Sequence, residues 1–151
     1  MREEITNKVR EIKRRFMTDD LNAVCAGLGI PVVSADLPAG INGLYFTLCG
    51  KPAILIDEKL PYFRYRYCLG HELGHALFHE GLNAAFLSES TQFVSRRFEN
   101  EADWFAAEWI LGDLVRTNDD TVTAETLSVT SGIPSDVVEK WIRWRFQSDA
   151  A

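Results

Sequence analysis

Long apolar runs are missing from this chain of 151 residues: none approaches the roughly 18 that a membrane-spanning helix needs. The amino terminus also lacks the apolar segment of a signal peptide, so a soluble, cytoplasmic protein is expected. Cysteine is scarce, and Cys25, Cys49 and Cys68 form an odd set without Cys-x-x-Cys spacing. That excludes a disulfide framework and a cysteine-based zinc knuckle. Positive charge is short as well, with 16 basic against 22 acidic side chains and a net charge of −6. A protein whose whole surface wraps nucleic acid needs a basic face, so that class is disfavoured. The first sixteen residues do hold six Lys or Arg against three Glu, a local surplus that reads as a solvated helix face. Only three histidines occur, His71, His75 and His79, and all fall within one short segment. The remainder is average for a globular protein, 46% hydrophobic and 25% charged. Residues 1–151 are therefore read as a single domain with one core, without repeats or low-complexity tracts.

Ile5, Val9, Ile12 and Phe16 recur at helical spacing, so the chain opens on an amphipathic helix. Thr18 and Asp19 are candidate caps of a short second helix carrying Leu21, Val24 and Cys25, which Gly29 stops. Ile30 to Val33 reads as a strand. Leu44–Leu48 and Ala53–Ile56, on either side of Cys49-Gly50-Lys51-Pro52, read as a hairpin. Leu60 to His79 reads as a helix of about five turns ended by Gly81. A polar stretch follows from Ser88 to Ser95, and another helix is expected from about Arg96 to Leu111. Residues 121–147 hold two helical patterns broken at Gly132 and Pro134, in the manner of a helix-turn-helix.

The chemistry lies in His71-Glu72-Leu73-Gly74-His75, which fits His-Glu-x-x-His. Residues four apart share a helix face, so both imidazoles can meet one Zn²⁺ at roughly 2.0–2.1 Å. Glu72 lies about 100° round the helix from His71, within reach of a water beside the ion without being a ligand itself. That placement suits a general base. A catalytic zinc site takes a third protein ligand. Glu99 is the preferred candidate, because Asp103 follows it by one helical turn and can accept the free ring N–H of a ligating histidine. Glu101 competes for that role, but it faces about 200° away from Glu99 and has no such partner. His79 continues the histidine face and is a spare ligand, an outer hydrogen-bond donor, or the helix end on the cleft rim. Cys68 shares the face too, as a buried packing residue or a thiolate ligand.

Several ordered features resemble the ImmA/IrrE metallopeptidases, zinc proteins of bacteria and their mobile elements. These are Leu28-Gly-Ile-Pro-Val-Val33, Ile54-Leu-Ile-Asp57, the run from Arg64 to His79, and Glu99-Asn-Glu-Ala-Asp-Trp-Phe-Ala-Ala-Glu108. The resemblance spans about Leu21 to Ile142. It implies an α+β, zincin-like domain: a short, mostly antiparallel sheet packed on the His-Glu-x-x-His helix and a second metal-ligand helix, with C-terminal helices beyond. It also implies one Zn²⁺ held by His71, His75 and Glu99, with Glu72 as the base. After Glu108 the family's usual Leu-Leu-Met-Pro is replaced by Trp109-Ile-Leu-Gly112, which bears on how the second of these helices ends.

Zinc peptidases commonly hold substrate as an added strand, and Ala53 to Asp57 is the candidate edge. Tyr62, Tyr65, Tyr67 and Arg96 are all candidates for stabilising the oxyanion. Members of the resembled family often cut or control a helix-turn-helix repressor encoded nearby, which makes such a repressor the leading substrate. The alternative is a non-catalytic, metal-bound regulator that binds a transcription factor or toxin partner; the intact Glu72 favours the enzyme. Direct DNA binding is disfavoured, because residues 121–151 carry three basic and four acidic side chains.

Overall fold

A computed structural model describes residues 1–79, 92–115 and 123–146. Among these the order is α1 (Arg2–Phe16), α2 (Leu21–Gly27), β1 (Val32–Ala35), β2 (Gly43–Leu48), β3 (Lys51–Asp57), α3 (Tyr62–Phe78), α4 (Gln92–Leu111), α5 (Ala124–Ser131) and α6 (Ser135–Phe146). This is an α+β fold with a small mixed sheet. No helix among the described residues is long and apolar enough to cross a membrane.

The sheet runs β1-β3-β2. β2 and β3 form the antiparallel hairpin, joined at Cys49 and Gly50, which both take positive φ, 53° and 78°. Two consecutive left-handed residues match the right-handed twist of the strands they join. β1 adds parallel to the other side of β3, pairing Val32 with Ile54 and Ala35 with Asp57. β3 is thus central, with Ile54 and Ile56 fully buried. The expectation that Ala53 to Asp57 offers a free edge is corrected: both its sides are paired, and the outer edge of β2 is the one beside α3.

Several element boundaries also move. α3 starts at Tyr62 because Pro61, extended at φ −62° and ψ 157°, takes the position before the helix. The cap of α2 is Asp20, whose carboxylate accepts the Asn22 N–H at 3.0 Å; Thr18 instead accepts the N–H of Asp20. β1 begins two residues later than Ile30, and α4 begins at Gln92, inside the stretch read as a polar connection. Gly81 and the rest of that stretch lie outside the described residues, as do Thr121 and Val122.

α3 is the centre of the molecule, with the sheet packed on one side and α4 on the other. Gly70 and Gly74 set the second contact. A methyl group on Gly70 would stand 3.1 Å from the Ala106 side chain, and one on Gly74 would stand 3.1 Å from the Ala102 backbone. Small residues four apart on both helices let antiparallel backbones approach closely. A Gly74→Ala change is therefore expected to destabilise the fold. Overpacking costs about 1–3 kcal/mol, set against about 1 kcal/mol of improved helix propensity, and a backbone atom cannot rotate aside. Chemical denaturation measures the loss, and metal affinity should fall with it, since Glu99 lies on α4 less than one turn from Ala102.

The remaining helices hold α4 from outside. α1 buries Ile5, Val9 and Ile12. Its Lys13 donates to the Trp109 carbonyl at 2.8 Å and pairs with Asp113, while Arg2 donates to the carbonyls of Trp144 and Arg145 at the end of α6. Part of the basic surplus of α1 is thus spent on internal carbonyls. α6 buries Val137, Val138 and Trp141, and the Trp141 indole donates to Glu108 at 2.9 Å. Trp144 stacks on Trp104 of α4 with ring centroids 5.6 Å apart. α4 itself runs to Leu111, and Gly112 follows where a side chain would collide with the Glu108 carbonyl.

Candidate metal centre

Because α3 and α4 lie close, the side chains of His71 and His75 meet that of Glu99. The Nε2 atoms of His71 and His75 stand 3.0 and 2.9 Å from the two oxygens of Glu99, and the three donor groups lie within 4.8 Å of one another. His71 and His75 are mostly enclosed, whereas 48% of the Glu99 side chain is exposed, so the site opens on the Glu99 side. Asp103, one turn along α4, accepts from Nδ1 of His71 at 2.8 Å. It also accepts from the Tyr67 hydroxyl at 2.5 Å and from Lys140 of α6 at 3.0 Å.

These partners test whether a metal suits the site. Asp103 accepts the hydrogen bond of the Nδ1–H of His71, so a neutral His71 presents the bare lone pair of Nε2 towards Glu99. The Glu99 oxygens are acceptors as well. Lone pairs facing a carboxylate at 2.9–3.0 Å repel unless extra protons or one cation lie between them. The donor set, two imidazoles and one carboxylate, is that of a catalytic zinc centre, and the residues fit the ion.

Without an ion the protons take its place. Burial works against charge on His71, but hydrogen bonds with Asp103 and Glu99 outweigh it and lift its pKa to about 10. Burial likewise acts to raise the Glu99 carboxyl, yet the bonds from His71 and His75 hold it well below the usual carboxylate range. For the metal-free fold, the His71 contribution is present below its ordinary pKa of 6.5 and is lost as pH rises through about 10. A metal must displace that proton. Binding at pH 7 is expected to release about one proton per chain, with apparent affinity rising as pH rises through the neutral range. Calorimetry in buffers of different ionisation enthalpy measures the release; binding without proton release would contradict this picture.

Glu72 is buried beside the histidines. Burial raises its pKa, opposed by the charges of His71 and His75 and by a hydrogen bond from the Tyr45 backbone of β2. A cleft of about 390 Å³ runs past it. It is lined by Asn42, Gly43, Leu44 and Pro134, with Tyr67, His71 and Glu72 along α3.

Among the residues offered for the oxyanion, Tyr67 lines this cleft but its hydroxyl already bonds Asp103. Tyr65 donates to Asn22 instead, Tyr62 is exposed at the start of α3, and Arg96 is exposed on α4. Burial pushes the Cys68 thiol up to about 12, so it is held as a neutral thiol, and it is not one of the three converging donors. His79 lies in the interior and not on a rim. Its Nδ1 is 2.8 Å from Nδ1 of His75, and its Nε2 is 2.7 Å from Glu101. Glu101 thus stands behind the site, bonded to His79 and Arg97. Sequence reasoning missed Lys140 altogether, and it named Tyr67, His79 and Glu101 without the contacts that Tyr67 makes with Asp103 and His79 with Glu101. The available signal was the small-residue spacing of Gly70, Gly74, Ala102 and Ala106, which fixes how α3 and α4 pass one another.

Two relatives bear on this site. The chain is 28% identical over 131 residues to uncharacterized immunity region protein 2 of Bacillus phage phi105, a match covering 85% of this chain and 83% of that protein. It is also 28% identical over 111 residues to metallopeptidase ImmA of Bacillus subtilis (strain 168), covering 72% of this chain and 64% of that protein. A sequence profile described as a peptidase family, the IrrE N-terminal-like domain, matches residues 25–113, more than half of the chain and inclusive of α3 and α4. On that match, and with the converging His71, His75 and Glu99, the chain belongs to the peptidase family of the IrrE N-terminal-like domain.

Proposed function

We propose that this protein is a zinc-dependent endopeptidase that hydrolyses one bond in a specific protein, with a helix-turn-helix repressor as the leading substrate. The observation that carries the reading is the convergence of His71, His75 and Glu99 beside a buried Glu72. The ion supplies Lewis acidity when bound, acidifying a water and polarising a peptide carbonyl. His71, His75 and Glu99 would hold it, and Asp103 would fix the His71 tautomer.

The rest follows from the chain's own residues. Glu72 would take a proton from the attacking water as its oxygen adds to the carbonyl carbon. The same carboxyl would hand that proton to the amide nitrogen as the C–N bond breaks, leaving a free acid and a free amine. Burial suits both halves of this exchange, because a raised pKa brings the carboxyl nearer the operating pH. The outer edge of β2 would receive the substrate backbone as an added strand, with side chains entering the cleft between Leu44 and Pro134. An intact Glu72 favours catalysis over a purely binding role.

The names of the relatives, an immunity region protein of a phage and a metallopeptidase, support a substrate in control of a mobile element. Co-expression with the repressor of such an element, followed on a gel with and without a chelator, tests it. Two fragments should appear, and the chelator should prevent them. An intact repressor beside zinc-loaded protein would count against this substrate.

A further inference from the structure

His79 and Glu101 take no part in the chemistry above, yet 1% and 3% of their side chains are exposed. Buried polar groups persist where each is matched. Glu101 accepts the Arg97 Nε–H at 3.0 Å with one oxygen and faces Nε2 of His79 at 2.7 Å with the other. A carboxylate can only accept, so the Nε2 proton of His79 points at Glu101 and the neutral ring keeps a lone pair on Nδ1. That lone pair is aimed at Nδ1 of His75, 2.8 Å away. When Nε2 of His75 binds a metal, its only proton sits on Nδ1, and His79 is the acceptor built to receive it.

We propose that His79, oriented by Glu101 and Arg97, is the positioning residue for His75, holding its ring so that Nε2 faces the metal. The two ligand histidines are then backed unequally: His71 by the carboxylate of Asp103, His75 by an uncharged imidazole. The negative charge of Glu101 is kept one ring further out and is paired with Arg97. An ion held by Glu99, with Glu72 nearby and Asp103 behind His71, would then meet one charge fewer, and the site would retain more of the ion's electrophilic power.

This inference rests on the metal-site reading. His79→Leu removes the acceptor with little change in bulk, whereas His79→Asn puts a carbonyl oxygen near the place of Nδ1. Zinc affinity, measured by competition with a chromophoric chelator, should fall about 10- to 100-fold in His79→Leu, with most of the loss recovered in His79→Asn. The absorption bands of the cobalt-loaded protein should change in the leucine variant and return towards wild type in the asparagine one. In zinc-loaded wild-type protein, nitrogen-15 correlation spectra should place the proton of His75 on Nδ1 and that of His79 on Nε2. The spectrum decides the matter even where a variant fails to fold. Wild-type affinity in His79→Leu, or a proton on Nδ1 of His79, overturns the role of His79 alone. A wild-type protein that takes up no zinc overturns the metal-site reading with it.

Discussion

Glu72→Gln is expected to bind zinc with near wild-type affinity and to lose about 10²- to 10⁴-fold in cleavage rate, the range that a positioned general base contributes. Glutamine keeps the size and one oxygen of the side chain. That oxygen can still accept the Tyr45 N–H that the carboxylate accepts, so the fold should not notice. What it cannot do is take a proton from water and give it to the departing amine. The measurement is a single-turnover time course on the cognate substrate, with metal content determined on the same sample. A variant that stayed fully active with its zinc in place would remove Glu72 from the mechanism.

Glu99→Ala should act on binding and not on proton transfer. It deletes one of three donors and leaves the Nε2 atoms of His71 and His75 without their carboxylate partner. The loss of affinity should exceed the 10- to 100-fold associated with an outer hydrogen-bond partner. Thermal unfolding offers a second readout. Free zinc at about a thousand times its dissociation constant stabilises a native protein by about 4 kcal/mol. At about 2–4 °C per kcal/mol for a chain of this size, that is about 8–16 °C in Tm. The wild-type chain should show this shift, and Glu99→Ala should show little of it. Equal shifts in both would place the ion elsewhere.

The parts of this site that could be read in the sequence are those set within single helices. Histidines four apart with a glutamate between them, and Glu99 four before Asp103, are facts about one helix face, and the geometry of a helix is the same in any fold. The contacts that sequence reasoning missed join different elements. Lys140 reaches Asp103 from α6, and Glu101 reaches His79 because α3 and α4 pass antiparallel at Gly70–Ala106 and Gly74–Ala102. The angle that turned Glu101 away from Glu99 also turned it towards a histidine one turn beyond His75. The strands behave likewise: hairpin spacing predicts that β2 and β3 pair, but not that β1 adds to the far side of β3 and leaves β2 as the edge beside α3. Pro61, by contrast, was a local signal that the reading from Leu60 passed over: its missing N–H is tolerated only at the start of a helix, and α3 begins directly after it.

The central claim is that His71, His75 and Glu99 together hold one catalytic ion. Elemental mass spectrometry of the purified protein and of Glu99→Ala, each dialysed against the same zinc buffer, tests it most directly. About one zinc per wild-type chain is expected, and close to none in the variant. A wild-type chain without zinc, or a Glu99→Ala chain that keeps its full complement, would contradict it.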